Sequence, residues 1–381
     1  MANPNRKMAT MRRIDAITPI EGADRIECAH IGGWTCVVGK GDFQPGDLCV
    51  YYEVDSFLPT SDQRYAQFAE RGEKVMTIKG NHTRGHVLRT IKLRGQISQG
   101  LLMRPKDVLP ESVPEHAYQL MYERRARLDG ICGVCEYHPD QNSLAAGFIG
   151  KYDPYVAPRT GCERVQNIDQ ETFDLIKRCG YFTSVKVDGT SITLVNDSRH
   201  GRIRAFSHNN EFSLDEGQGK LVMETARRQG IIKFLECFPD ITIQAELCGP
   251  KIGSNTLRLK DYRLFVFSVY DMAERQYLTP YQLDGHESVD AICKSCVPYV
   301  GDFYGCDFLD QFDTPQDLIE WTNTLRGSVT KDVLDEGIVV HVMDASDLSE
   351  DEQATLRNVL GEQMQMKSVS AAFLLKKAKK G

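Results

Sequence analysis

Short apolar segments separated by turn residues fill the first hundred residues, and this pattern restricts the fold more than any other feature of the sequence. It is clearest at residues 36–47, 48–59 and 87–103, where alternating apolar positions are bounded by Gly, Pro or Asp. Helical periodicity is scarce there. The pattern predicts a small antiparallel β-barrel. Five or so short strands suit an OB-like barrel over residues 1–110, although composition alone also allows an SH3-like barrel.

The rest of the chain alternates strand and helix patterns. Both patterns weaken over 111–155, which we interpret as an interdomain segment. Downstream, strand-like runs alternate with amphipathic stretches, and this order predicts an α+β domain built on antiparallel sheets over 156–381. The strand-like runs are 184–195, 241–249, 263–272 and 336–343, and the helix-like stretches are 171–179, 220–236 and 314–326.

Charge and hydropathy exclude some classes of function. The formal net charge of -7 argues against a protein that coats nucleic acid, yet eight Lys or Arg residues and no Asp or Glu lie between Lys74 and Lys106. Such a local basic surface suits an enzyme that contacts a few phosphates in one place. The polar N-terminus and the lack of eighteen consecutive apolar residues predict a cytoplasmic protein that does not enter a membrane.

The cysteines also indicate the redox compartment of the protein. Twelve are scattered through the chain without a signal peptide, so reduced thiols are expected rather than disulfides. Two CxxC pairs, Cys132 with Cys135 and Cys293 with Cys296, leave a zinc site open as an alternative.

A lysine within a strand-like run, directly before a glycine turn, is the strongest chemical signal. The segment from Ser184 to Ser191 reads SVKVDGTS, which places Lys186 two residues before Asp188. Burial in a strand penalises the ammonium form, so we expect a lowered pKa and a nucleophilic amine. Gly189 allows close backbone approach to a ligand, and an exposed hairpin turn is the plain alternative.

Two glutamates in apolar strands strengthen this interpretation. Glu246 lies between Ala245 and Leu247, where a carboxylate needs a partner such as a ribose hydroxyl. Glu336 precedes Gly337 at the start of an apolar run, where a divalent metal or the lysine could be its partner. A salt bridge at a strand end is the structural alternative for each glutamate.

In this order, the segments resemble the motifs of the covalent nucleotidyltransferases, which comprise DNA ligases, RNA ligases and mRNA capping enzymes. Lys186 to Ser191 looks like motif I, Glu246 falls at motif III, Phe267 at motif IIIa, Glu336 at motif IV and Lys367 at motif V. More specifically, the chain resembles RNA ligases of the Deinococcus type, a family also represented in Naegleria, whose OB domain precedes the transferase domain. Segments 19–59, 89–103 and 159–167 carry that similarity.

The resemblance implies an OB-like, nucleic-acid-binding domain followed by an ATP-grasp-like DNA/RNA ligase domain, and a three-step reaction. Lys186 would take AMP from ATP, with Mg²⁺ or Mn²⁺ held by Glu336, and pass it to a 5′-phosphate. A 3′-hydroxyl of RNA, at a nick in a duplex, would then displace AMP. Phe267 would stack on adenine, Glu246 would bind the ribose, and Arg164 and Lys367 would face the phosphates. No membrane and no obligate protein partner is implied. The nucleotide-binding set that the resemblance implies is Arg164, Val185, Lys186, Asp188, Gly189, Ser191, His208, Glu246, Phe267, Glu336 and Lys367.

Two positions depart from the family pattern. His208 stands where motif Ia usually has an arginine, and Lys367 is the single lysine where many relatives have two. Lys376 or Lys377 could compensate. These departures motivate one alternative, a ligase-fold RNA-binding protein without activity. Another covalent nucleotidyltransferase, either a DNA ligase or a capping enzyme, is the second alternative, although its OB domain would normally follow the transferase domain.

Overall fold

The computed structural model describes residues 6–78, 80–138, 147–278, 289–301, 307–361 and 363–378. The chain divides into two compact units, Met1–Asp140 and Gln141–Gly381. Among the described residues, no helix is long and apolar enough to cross a membrane.

Among its described residues, the first unit contains short antiparallel strands and three short α-helices. Its strands are β1 Ala9–Arg13, β2 Ala16–Pro19, β3 Ile26–Ile31, β4 Trp34–Gly39, β5 Leu48–Tyr52, β6 Ser56–Pro59, β7 Lys74–Ile78, β8 Asn81–Val87, β9 Thr90–Leu93, β10 Gln96–Gln99, β11 Leu101–Met103 and β12 Cys135–Glu136. Its α-helices are α1 Pro105–Val108, α2 His116–Glu123 and α3 Asp129–Cys132. The strands form sheets of order β1-β5-β11, β2-β3-β4, β9-β10 and β12-β6-β8-β7.

Strand β5 lies between two apolar clusters, which explains its unbroken apolar sequence. Cys49 and Tyr51 pack with Trp34 in one cluster, whereas Val50 and Tyr52 pack into the other. Successive side chains of a strand point to opposite faces, so both faces of β5 are buried.

The segment predicted to link the domains is divided between the two units. Leu128 and Cys132 pack into the same cluster as Tyr52, and the Asp129 carboxylate accepts hydrogen bonds from the backbone of Met8 and Ala9 at 2.9 and 2.8 Å. The described residues up to 138 therefore belong to the first unit, and the predicted boundary at 110 lies inside it.

The second unit contains two sheets and seven α-helices among the described residues. Its strands are β13 Phe148–Lys151, β14 Glu163–Arg164, β15 Gly180–Lys186, β16 Thr190–Asp197, β17 Arg202–Phe206, β18 Asn210–Phe212, β19 Ile241–Cys248, β20 Arg263–Asp271, β21 Gln276–Leu278, β22 Gly337–Asp344 and β23 Gln365–Val369. Its helices are α4 Gln170–Lys177, α5 Gly217–Arg228, α6 Ile231–Cys237, α7 Val289–Ser295, α8 Pro315–Thr322, α9 Glu350–Leu360 and α10 Ala371–Ala378.

The seven-stranded sheet has the order β13-β18-β17-β16-β19-β20-β21, and the four-stranded sheet has the order β14-β23-β22-β15. All named strand pairs in both sheets are antiparallel except β14 with β23. The extended segment Cys296–Val300 bonds to both sheets. Val297 N donates to Val266 O at 2.9 Å, and Val185 N donates to Pro298 O at 2.8 Å.

Helices cover one face of each sheet and leave the other face for a site. Residues of α5, α6 and α7 pack on the seven-stranded sheet, and residues of α4, α8 and α9 pack on the four-stranded sheet. The stretch 220–236, predicted as one helix, is divided at Gly230, whose φ of 78° is left-handed and favours glycine.

Candidate active site

Pairing of β15 with β22 brings Lys186 to Glu336. Lys186 lies opposite Gly337, and its Nζ donates to Glu336 Oε2 at 2.8 Å. Gly337 has a φ of 153°, and a Cβ there would collide with the carbonyl of Ser368 on β23. Glycine after the glutamate thus allows the close strand packing that holds the carboxylate beside the amine.

The turn after Lys186 packs against Glu246 in the neighbouring sheet. Gly189 N donates to Glu246 Oε1 at 3.0 Å, and Ser191 lies opposite Glu246 in the pairing of β16 with β19. A side chain at Gly189 would collide with the Leu247 carbonyl. The predicted glycine is therefore required for close backbone approach, here to the protein itself.

The charges of Lys186 and the two glutamates are strongly coupled. Burial lowers the pKa of Lys186, but Glu336 and Glu246 outweigh it and hold the pKa above its ordinary value. The expected net lowering of the Lys186 pKa is therefore wrong. Burial also raises the pKa of Glu246 to about 7, although Lys186 opposes this rise. A closely packed ion pair replaces the free amine that burial alone would give.

Lys367 and Arg164 share the sheet face that carries Lys186. Ser184 lies opposite Val339, Val339 opposite Lys367, and Lys367 opposite Arg164. Residues directly opposite in a sheet project to the same side, and so do alternate residues along a strand. We call this side, which carries Phe182, Ser184 and Lys186, the lysine face.

The Cys162 thiol lies close to the cations of the lysine face. Burial raises the pKa of this thiol, whereas the positive charges of Lys367 and Lys186 lower it. Lys186 and Lys367 therefore both lie close enough to Cys162 to affect its pKa. The assignment of Lys367 to motif V requires the two lysines to be close together in this way.

Asp188 is held by residues from two other parts of the chain. Lys377 on α10 donates to Asp188 Oδ1 at 2.5 Å, and Thr256 Oγ1 donates to Asp188 Oδ2 at 2.9 Å. Of the two lysines named as compensating candidates, Lys377 thus contacts motif I directly.

Phe267 is the extra residue of a β-bulge. The register of β19 with β20 passes from Gln244 opposite Ser268 to Ala245 opposite Val266, which leaves Phe267 without a partner. The ring is partly buried and packs, like Phe265, with Val185 and Val187.

A cavity of about 730 Å³ lies between Phe267 and the lysine face. Phe182, His341 and Gln365 line its four-stranded side. The rings of Phe182 and His341 stack at 4.3 Å, and Ser184 Oγ is 2.9 Å from His341 Nε2. Sequence patterns alone did not identify these residues, although alternation from Lys186 places Ser184 and Phe182 on its face.

His208 lies in the turn between β17 and β18. Ser207 Oγ closes this turn by accepting from Asn210 N at 3.0 Å, and Arg159 Nη1 donates to Asn209 Oδ1 at 3.4 Å. In the seven-stranded sheet, β17, which leads into this turn, is two strands away from β19, the strand that carries Glu246.

Metal ligands are sparse in the described residues. Among them, no group of three or more His, Cys, Asp or Glu side chains is arranged to hold a metal ion. Of the two CxxC pairs, Cys132 is buried in the first unit and Cys293 is exposed in the second. The assignment of Glu336 to a metal remains a prediction.

Comparison with known families gives two matches. An OB-fold domain model matches residues 8–105, and an RNA ligase model matches residues 181–358. This order confirms the predicted fold class, an N-terminal OB-like barrel followed by a ligase domain with mostly antiparallel sheets. No curated protein sequence is significantly similar to the chain.

Solved structures of Naegleria gruberi RNA ligase are similar over the whole length. An aspartate-to-alanine mutant in the apo state is 28% identical, with a TM-score of 0.76 and coverage of 100% of both chains. The ligase with PPi is 28% identical, with a TM-score of 0.74 and coverage of 99% of this chain and 100% of that one. A lysine-to-alanine mutant with ATP and Mn is 28% identical, with a TM-score of 0.73 and coverage of 97% and 98%.

Proposed function

We propose that this chain is an ATP-dependent RNA ligase whose OB-fold domain precedes its ligase domain, and that Lys186 carries AMP during its reaction. The observation that carries the proposal is the placement of Lys186 Nζ 2.8 Å from Glu336, on the sheet face that also bears Lys367. A nucleophile, a carboxylate and a phosphate-binding cation are thus available on one surface.

In the first step, the Lys186 amine attacks the α-phosphorus of ATP. The Nζ–P bond forms, the bond from phosphorus to the bridging oxygen breaks, and pyrophosphate leaves with that electron pair. The ammonium proton must be lost before attack, because only the neutral amine has a lone pair. Lys367 and Arg164 stabilise the negative charge of the phosphates during this step.

In the later steps, the adenylyl group activates the RNA end. An oxygen of the 5′-phosphate attacks the phosphorus of the lysyl-AMP and the P–N bond breaks, which regenerates Lys186. A 3′-hydroxyl then attacks the activated 5′-phosphate, and AMP leaves as the new phosphodiester forms. We propose that the two ends meet at a nick in a duplex.

The remaining assignments concern the nucleoside and the metal. The cavity beside Phe267 offers an aromatic surface for adenine, and the Glu246 carboxylate offers an acceptor for a ribose hydroxyl. Carboxylate oxygens suit Mg²⁺ or Mn²⁺, so Glu336 fits a metal ligand in its position beside the amine. When bound, such an ion would neutralise charge on the triphosphate and favour the neutral amine.

The direct test is covalent labelling. The protein is incubated with α-labelled ATP or GTP and Mg²⁺ or Mn²⁺, denatured, and assayed for label on the polypeptide. We expect label from ATP and none in Lys186→Ala. Lys177→Ala, which changes an α4 lysine elsewhere in the same unit, should still be labelled. Label from GTP alone would indicate capping activity, and wild-type labelling of Lys186→Ala would overturn the assignment.

A further inference from the structure

A second cavity, of about 630 Å³, lies outside the residues assigned to the nucleotide. It forms where the C-terminal ends of α5 and α7 meet the segment Leu259–Arg263. Its charged lining residues are four cations and one carboxylate, namely Arg228, Lys260, Arg263, Lys294 and Asp261. On a chain with a formal net charge of -7, this excess of positive charge is local.

Backbone contacts hold the two guanidinium groups at this cavity. Arg228 Nη2 donates to the Tyr262 carbonyl, and Arg263 Nη2 donates to the Lys294 carbonyl at 3.0 Å. The Arg263 guanidinium also lies over the Phe265 ring, 4.5 Å from its centre. Each of these hydrogen bonds uses one of the five N–H donors of a guanidinium, so donors remain for a ligand.

Lys294 is paired with Asp290 on the same helix, 3.5 Å away, whereas the other three cations have no carboxylate partner among the described residues that would explain them as surface ion pairs. Within the described part of the chain, Arg228, Lys260 and Arg263 form no salt bridge. Arg228 and Lys294 lie in the last turns of α5 and α7, where the negative end of a helix dipole favours a positive side chain. The dipoles therefore explain why cations occur at these two positions. They do not account for Lys260 and Arg263, which lie at no helix end.

The cavity is next to the active-site end of the seven-stranded sheet. Arg263 lies opposite Cys248, whose thiol donates to the carbonyl of Asp188 at 3.5 Å. Phe265, beneath the Arg263 guanidinium, lies opposite Glu246. Along β20, Arg263 and Phe267 are separated by about 13 Å at the usual strand rise.

We propose that this basic cavity binds backbone phosphates of the RNA strand close to the joint. The inference rests on the proposed function and extends it with a binding surface for the polynucleotide. Paired guanidinium groups suit phosphate oxygens, and the cavity is wide and shallow, which suits a backbone that passes over it. Phosphate contacts carry no base information, so binding here is independent of sequence.

The test compares two triple variants of the full-length protein. Arg228→Gln, Lys260→Gln and Arg263→Gln remove cavity charge, whereas Lys220→Gln, Arg227→Gln and Lys233→Gln remove equal charge from exposed positions on α5 and α6. The dissociation constant for a nicked RNA duplex is measured without ATP over a range of salt concentrations. We expect binding to weaken about tenfold or more at 0.1 M salt in the cavity variant. The salt dependence of binding should become shallower, by about one in the log–log slope for each phosphate that the variant no longer binds.

The remaining measurements distinguish this proposal from the one on which it rests. Lysyl-AMP formation should stay within about twofold of wild type in both variants, while sealing falls only in the cavity variant. Lys260→Gln alone, at an exposed loop position, tests the site if the triple variant does not fold. Equal RNA affinity of the two triple variants would overturn the proposal. So would a cavity variant that loses binding of inorganic phosphate or ATP but not of RNA. Absence of label in the wild type would overturn the proposed function instead, and the RNA measurement would still test the cavity.

Discussion

At the scale of single residues, Lys186, the proposed nucleophile, lies where its ammonium form is stabilised. A lysine with an ordinary pKa of about 10.4 already requires roughly 4 kcal/mol to present a neutral amine near neutral pH. Glu336 and Glu246 outweigh the effect of burial and raise the pKa of Lys186 further, which increases this free-energy requirement. The proposed attack by Lys186 would therefore require that the bound triphosphate and its metal lower this pKa.

The burial of His341 predicts how the stability of the fold depends on pH. Burial lowers the pKa of His341 from its usual value of 6.5 to about 3, so the folded protein strongly favours the neutral ring. This contribution to stability is fully present above pH 6.5 and is lost as the pH falls toward 3. From pH 7 to pH 5, we expect wild type to lose about 2 kcal/mol more stability than His341→Gln.

Hydrogen exchange of peptides that cover β22 measures this difference, once the intrinsic pH dependence of exchange is removed. His116→Gln, which changes an exposed histidine of the first unit, is the control and should behave as wild type. An identical pH response in wild type and His341→Gln would contradict the prediction.

At the scale of elements, the site depends on strand register, a bulge and a terminal helix. Strand register places Lys186 and Lys367 on one face, and Gly337 at the start of β22 holds Glu336 beside Lys186, whereas the bulge at Phe267 changes the alternation along β20. Helix α10 follows directly after β23 and supplies Lys377 to Asp188. The C-terminal helix therefore forms part of the support of motif I.

The contact of α10 with motif I predicts a modest, specific effect. Lys377→Met removes one cation from Asp188, while Lys377→Arg retains the charge. Because the lysine is half exposed, the ion pair contributes at most about 1 kcal/mol. We therefore expect the rate of lysyl-AMP formation to fall by up to about fivefold in Lys377→Met, with recovery in Lys377→Arg.

Single-turnover labelling with ATP measures this rate. Lys376→Met is the matched control, because it removes an adjacent charge from the same helix. Equal losses in Lys376→Met and Lys377→Met would show that the helix, rather than the ion pair with Asp188, is responsible.

Sequence patterns identified the main strands and helices of the second unit, and the family resemblance identified the motifs. Lys186 and Glu336 could be assigned because each lies in a short motif with a glycine that is visible in the local sequence. The contributions of Lys377 and His341 could not, since each depends on contacts over more than 150 positions in the chain. The bulge at Phe267 was also hidden, because strand alternation predicts the same parity for Phe265 and Phe267.

At the scale of the whole molecule, each unit buries its own apolar core. Trp34, Tyr51 and Tyr52 contribute to clusters of the first unit, whereas Phe173 and Phe234 contribute to clusters of the second. All the assigned nucleotide-binding residues lie in the second unit. The proposed activation of Lys186 is therefore separable along the chain from any RNA binding by the first unit, while the basic cavity stays with the second unit.

This separation predicts the behaviour of residues 141–381 expressed alone. The fragment should fold, because its two largest apolar clusters are built from its own residues, and it should form lysyl-AMP within a few-fold of the full chain. Sealing of a nicked RNA duplex should fall at least about tenfold, since the fragment lacks the basic stretch from Lys74 to Lys106 that would bind phosphates. Labelling and sealing are measured side by side, with circular dichroism to verify folding.

A folded fragment that takes no label would contradict the separation, because the first unit would then be needed for the chemistry at Lys186. A fragment that seals as well as the full chain would instead remove RNA binding from the first unit and leave the second unit to retain the substrate alone.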